Sequence, residues 1–94
     1  MASLDVSGCT GLRDLFCRNN KLTSLNLSGC TNLNWVDLMV NQLADLSALV
    51  TNAAQGGLGA GDTVYLFGNP LSQYARTNQL FKLTNTYHVT VIVN

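Results

Sequence analysis

Apolar and polar positions alternate along this chain in short bursts. Leu15 and Cys17, Val36 and Leu38, and Val64 and Leu66 are each separated by one residue. That period of two marks short strands with one buried face. Every burst sits in the same frame. Leu12-x-x-Leu15-x-Cys17-x-x-Asn20-x-Leu22 is followed by Leu33-x-x-Val36-x-Leu38-x-x-Asn41-x-Leu43 and by Gly61-x-x-Val64-x-Leu66-x-x-Asn69-x-Leu71. Asn20 to Asn41 is 21 residues and Asn41 to Asn69 is 28, so the third turn carries seven extra residues. Ser3 to Leu12 also aligns without a gap on Ser24 to Leu33. Leu46, Leu49, Val50 and Ala53 recur at helical spacing, which predicts a helix over 45–55 ended by Gly56-Gly57. A second helix is predicted from Ser72 as N-cap to about Leu83, with Ala75, Gln79, Leu80 and Leu83 inward. Val89, Val91 and Val93 then alternate as a fourth strand.

Self-similarity at a fixed period implies stacked turns. Stacking sets the bursts side by side in a parallel sheet with Leu15, Cys17, Val36, Leu38, Val64 and Leu66 inside. Asn20, Asn41 and Asn69 fall at the bend after each strand. A buried bend leaves backbone groups unpaired at about 1–3 kcal/mol each. An amide side chain both donates and accepts, so a column of Asn can satisfy them turn after turn. The half-turns Leu4 to Cys9 and Leu25 to Cys30 cover the outer side. Cys9 and Cys30 should therefore stack, at a separation within disulfide reach but with parallel Cβ directions that disfavour a bridge. Buried thiols are the expectation.

The blocks resemble leucine-rich repeats, L-x-x-L-x-L-x-x-N-x-L, most of all the short 21-residue bacterial class, whose second half, here Leu22-x-x-Leu25-x-Leu27, echoes the first. Gly59 to Ser72 resembles the closing turn of bacterial members, which a helix and a last strand usually follow. The resemblance covers nearly the whole chain. It implies an α/β architecture: a short right-handed leucine-rich-repeat solenoid with a parallel sheet of about four strands on the concave side, convex turns and two helices. Residues 1–94 then form a single domain: 1–44 two regular repeats, 45–71 a repeat with a helical insertion, 72–94 the terminal helix and strand. The resemblance also implies that the chain binds other proteins.

Composition narrows the chemistry. Five basic against five acidic side chains leave no net charge, and only 11% of residues are charged. A nucleic-acid groove or an anionic membrane needs a basic footprint, so neither is expected as a partner. No apolar run approaches the ~18 residues of a membrane span, and the start lacks a signal peptide's basic and apolar regions. A cytoplasmic location is the expectation. Cys9, Cys17 and Cys30 have no metal-ligand spacing. Gly57-x-Gly59-x-Gly61 follows a helix and precedes a strand, the reverse of a dinucleotide fingerprint, so turn chemistry is expected there. His88, the only histidine, has no motif-defined partner. No catalytic residue, cofactor or metal is expected. An enzyme using His88 with a neighbour is the least supported alternative.

The alternation that buries Leu15 and Cys17 turns other residues onto the concave face. Phe16, Asp37, Tyr65 and Thr90 should form one row; Arg18, Met39, Phe67 and Ile92 the next; Trp35 should lie beside Asp14 and Thr63. Members of the resembled family commonly carry Asp, Ser or Thr where this chain has Phe16, Met39 and Phe67. An exposed apolar patch marks an interaction surface, and Trp, Tyr and Arg anchor interfaces. The expected protein-binding residues are therefore Phe16, Arg18, Trp35, Asp37, Met39, Tyr65, Phe67 and Ile92. The alternative is that the terminal helix or a long loop folds over part of this face and makes it core. Counting back 21 from Leu22 reaches Met1, so the strand from about Asp14 to Arg18 should be an open edge. Three partner readings follow: another protein on the concave face, a homo-oligomer through that face or through the edge strand, or a fragment of a longer repeat protein.

Overall fold

The alternating bursts become strands of three residues, each centred on one inward apolar side chain. The computed structural model describes residues 3–93, and the register position given to Met1 lies outside them. In chain order the elements are β1 (Ser3–Asp5), β2 (Asp14–Phe16), β3 (Ser24–Asn26), β4 (Trp35–Asp37), α1 (Ser47–Ala54), β5 (Thr63–Tyr65), α2 over residues 73–86, and β6 (Thr90–Ile92). All pairings are parallel, in a two-stranded sheet β1-β3 and a four-stranded sheet β2-β4-β5-β6. This is a small mixed α/β architecture with two helices. The sequence offset of 21 is the structural register: Leu4 faces Leu25, and Leu15 faces Val36. The half-turns expected only as convex cover thus form a second sheet. Among the described residues no helix is long and apolar enough to cross a membrane.

Both sheets pack on one apolar cluster. Leu15, Val36 and Val64 enter it from the four-stranded sheet, Leu4 and Leu25 rest against it from the two-stranded one, and Leu22, Leu27, Leu38, Leu49, Leu58 and Leu83 fill it. Asparagine amides tie the turns together. The Asn41 amide nitrogen donates to Cys17 and Leu38 carbonyls, both at 2.9 Å. Its oxygen accepts from the Asn20 and Leu22 N–H groups at 2.9 and 3.0 Å. Asn69 repeats the pattern, donating to Leu38 and Leu66 carbonyls and accepting from Leu43 N–H. Among the described residues Asn20, in the first complete frame, donates to the Arg18 carbonyl of its own turn and to no other turn.

Asn52 plays the same part on the other side, a role the frame did not predict. It is fully buried within α1. Its amide nitrogen donates to the Leu27 and Cys30 carbonyls at 2.9 Å, and its oxygen accepts from Leu58 N–H at 2.8 Å. A Cβ on Gly57 would collide with this amide. Gly56, with φ of +87°, ends the helix as its sequence implied.

The start of α1 is held from outside. Leu46 at its N-cap offers no side-chain oxygen. Instead Gln79 of α2 accepts from Leu46 N–H at 2.8 Å and donates to the Asp45 carboxylate at 2.8 Å, and Asp45 accepts from the Ser47 N–H and hydroxyl. Helix α2 begins with Ser72 accepting from Ala75 N–H, and Ala75, Gln79 and Leu83 are buried as expected, with Leu80 half-buried. It runs three residues past the expected Leu83. Over Ala75–Gln79 and Lys82–Thr86 it widens, so that Leu80 N–H reaches Ala75 and Tyr87 N–H reaches Lys82. The Thr77 and Thr84 hydroxyls donate to carbonyls four residues back, a competition that loosens α-helical turns.

Two expectations are corrected here. Strand β6 pairs Thr90 with Thr63 and Ile92 with Tyr65, so the expected register is off by two. Cys9 is exposed, whereas Cys17 and Cys30 are buried free thiols. Cys9 lies in the turn that follows β1, beyond the residues that pair with β3.

Replacing Asn41 by Ala should lower the unfolding free energy by about 2–4 kcal/mol, because several buried backbone groups lose their only partner. Asn20→Ala should cost less than about 1 kcal/mol. Urea unfolding of both variants measures the contrast. The Asp45 carboxyl is held below its ordinary pKa, chiefly by the Ser47 hydroxyl, against burial, with help from Gln79 and nearby N–H groups. Its stabilisation is present above the unfolded value of about 3.9 and lost as pH falls through the lower folded value. Asp45→Asn should therefore flatten the acid limb of a urea midpoint–pH profile.

Candidate functional site

The outward face of the four-stranded sheet carries the expected residues in three rows. Strand pairing sets Asp14, Trp35, Thr63 and Thr90 in the first, and Phe16, Asp37, Tyr65 and Ile92 in the second. Arg18, Met39 and Phe67 follow in the third, where Asn19 N–H donates to Met39 and Val40 N–H to Phe67. Ile92 thus stands beside Tyr65 rather than Phe67, and Thr90 leaves that row, because of the two-residue shift of β6.

Exposure sorts the candidates. Phe16 is 67% exposed, Phe67 51%, Val40 47% and Trp35 36%. Met39, Tyr65 and Ile92 are half-buried. The Trp35 and Tyr65 rings lie 5.0 Å apart between centroids and tilted by 48°, an arrangement aromatic pairs favour. With these rings open to solvent, helix α2 does not cover the face.

Asp37 is a correction. It was expected to point outward, but it is buried at 5% exposure. A short side chain between Phe16 and Tyr65 in its row is shaded by both. Its carboxylate accepts from Arg18 Nε at 3.2 Å and Nη2 at 2.7 Å, and from Met39 N–H at 3.1 Å. Asp37 therefore fixes the Arg18 side chain over the sheet instead of meeting a partner. Its charge and burial together push the Cys17 thiol upward, burial being the larger cause, so Cys17 is a poor nucleophile.

Two features escaped the sequence reasoning. Val40 has φ of +56°, an outlying conformation for a β-branched residue. It occupies a left-handed column with Asn19 (φ +63°) before it and Gly68 (φ +82°) after it. A Cβ on Gly68 would come within 3.2 Å of the Val40 backbone. The repeat frame aligns these three positions, so the signal was present but unused. Tyr74 and Phe81 are each 59% exposed on α2. Their spacing of seven puts them on one helix face, the one left over once Ala75, Gln79 and Leu83 are assigned inward.

Other chemistry is sparse. Among the described residues no group of three His, Cys, Asp or Glu side chains could hold a metal. His88 is exposed at φ +62° in the turn after α2. In the glycine segment, Gly59 N–H already donates to the Asp62 carboxylate at 2.8 Å, and Gly61 turns at φ +90°. A cavity of about 300 Å³ lies between the bend after β5 and α2, lined by Leu66, Gly68, Leu71, Leu80 and Arg76. Arg76 there donates through Nε to the Leu71 carbonyl.

No family model matches the sequence, and no curated protein or solved structure matches it either.

Val40→Asn should raise stability by about 1 kcal/mol, since Asn tolerates the left-handed region that Val resists. Asn19 already occupies the equivalent place one turn earlier. The chemical denaturation midpoint reads the gain.

Proposed function

We propose that the chain is a short right-handed leucine-rich-repeat solenoid that serves as a non-catalytic protein-interaction module. The repeat reading is supported by the 21-residue frame, which matches the strand register in both sheets, and by the asparagine bonds between successive turns. The interaction reading rests on one observation: Phe16, Trp35 and Phe67 stand exposed together on one sheet face. Water-exposed rings in rigid strands present large contact area with little side-chain entropy to lose. Arg18, held by Asp37, adds a preorganised donor among them. The partner this favours is a protein surface with apolar projections and at least one carboxylate. Zero net charge gives no support to nucleic acid. The sparse set of titratable neighbours supports a binding role over catalysis.

Trp35 is the only tryptophan, so its emission reports directly on this face. Binding of a candidate partner should shift or quench it. Trp35→Ala and Phe67→Ala should each weaken binding by about 10–30-fold, the range of interface anchors, without changing the circular dichroism spectrum. Tyr74→Ser with Phe81→Ser, on α2, should leave affinity unchanged. Unchanged binding in the sheet variants, or loss only in the helix variant, would overturn the reading.

A further inference from the structure

Strand β2 ends the four-stranded sheet, with β4 on one side and no described strand on the other. Cys17 and Asn19 donate their N–H groups to Asp37 and Met39 on the β4 side. Backbone groups alternate in direction along a strand, so those of Asp14, Phe16 and Arg18 point to the open edge. Such an edge is a template for another strand.

The neighbouring edge is blunted and this one is not. Asp5, Asn26 and Asp37 each follow the apolar centre of their strand, and each accepts from the N–H two residues on. At β1, the edge of the other sheet, Asp5 thereby occupies the Ser7 N–H. Phe16 stands at that place in β2 and has no acceptor to offer the Arg18 N–H.

The segment Asp14-Leu15-Phe16-Cys17-Arg18 is also complementary to itself when reversed. In an antiparallel pair centred on Phe16, Asp14 lies opposite Arg18, Leu15 opposite Cys17, and Phe16 opposite Phe16. Opposed residues project to the same face. The outward face would then carry two Asp–Arg pairs flanking two rings. The inward face would join Leu15 and Cys17 of both copies, closing the end of a core where Leu4, Val6 and Leu12 are only partly buried. Arg18 binds Asp37 through Nε and Nη2; guanidinium carries five donors, so others remain for a second carboxylate.

The geometry points to a two-fold homodimer built by antiparallel pairing of β2 with β2 of a second copy, in the register that opposes the two Phe16 residues. A closed two-fold contact is the commonest oligomer, and a parallel sheet edge can meet its own copy about a two-fold axis only antiparallel. The dimer goes beyond the proposed binding face and does not depend on it. Its two sheets would run on as one, with Trp35, Tyr65 and Phe67 of each copy still open.

Sedimentation equilibrium of the full chain tests this together with cross-linking. The chain should be dimeric at micromolar concentration. Asp14→Arg, an exposed change that sets Arg against Arg18, should raise the dissociation constant at least about tenfold, as two attractive pairs become repulsive. Phe67→Ala should leave the dimer intact. In a Cys9→Ser background, Phe16→Cys should form a covalent dimer on mild oxidation, since hydrogen-bonded antiparallel partners sit about 5.5 Å apart, within disulfide reach. Trp35→Cys should not. A monomer at high micromolar concentration, a dimer indifferent to Asp14→Arg, or a dimer whose Phe16→Cys form fails to cross-link would overturn the proposal. Loss of the dimer in Phe67→Ala alone would overturn it in favour of face-to-face contact.

Discussion

Bends between stacked strands must run through the interior, and an interior bend has more polar backbone than partners. This constraint governs the molecule. The Asn41, Asn69 and Asn52 amides answer it: Asn41 and Asn69 each bridge carbonyls of two successive turns, Asn52 ties α1 to two carbonyls of one bend, and all three accept N–H groups in return. Among the described residues no buried side-chain polar atom is left without a partner. Strand register, the close approach of Gly57 to Asn52, and the position of α1 all follow from those bonds. The apolar cluster supplies most of the stabilisation, but it is directionless. The amides determine which turn lies against which.

The outward face depends on that order at one remove. Because β4 is pinned between β2 and β5, Asp37 sits at the centre of the sheet and is shaded by the residues on either side. The carboxylate then anchors Arg18, and the rings beside it stay in solvent. Burying the Asp37 carboxylate under a half-exposed Arg18 and beside exposed aromatics is a costly arrangement for a free surface. Val40 adds backbone strain in the bend after β4, where its N–H meets the Phe67 carbonyl. Strain and exposed apolar area coinciding at one place is a common mark of a functional surface.

Much of this was legible in the residues. The frame located the centres Leu15, Val36 and Val64, the bends at Asn41 and Asn69, and both helices. Three particulars were not legible, for physical reasons. A two-residue slip of β6 keeps every side chain on its face, so alternation could not reveal it; the longer run of α2 moved the register. The burial of Asp37 depends on the size of Phe16 and Tyr65 beside it, which a row assignment does not weigh. Asn52 lies in the seven-residue excess of the third turn, where no copy aligns with it, so the frame that identified its counterparts gave no signal.

The reach of the asparagine bonds has a further consequence. Asn41 touches its own turn and the one before it, and so does Asn69; neither spans two turns. Cohesion is therefore strictly between neighbours, and length is quantised. Whole 21-residue units can be added or removed without asking any residue beyond the adjoining turn to change. Each addition brings its own strand centre, bend amide and outward row. Such a chain can lengthen its surface at nearly constant cost per unit, whereas a globular core must be repacked throughout to grow.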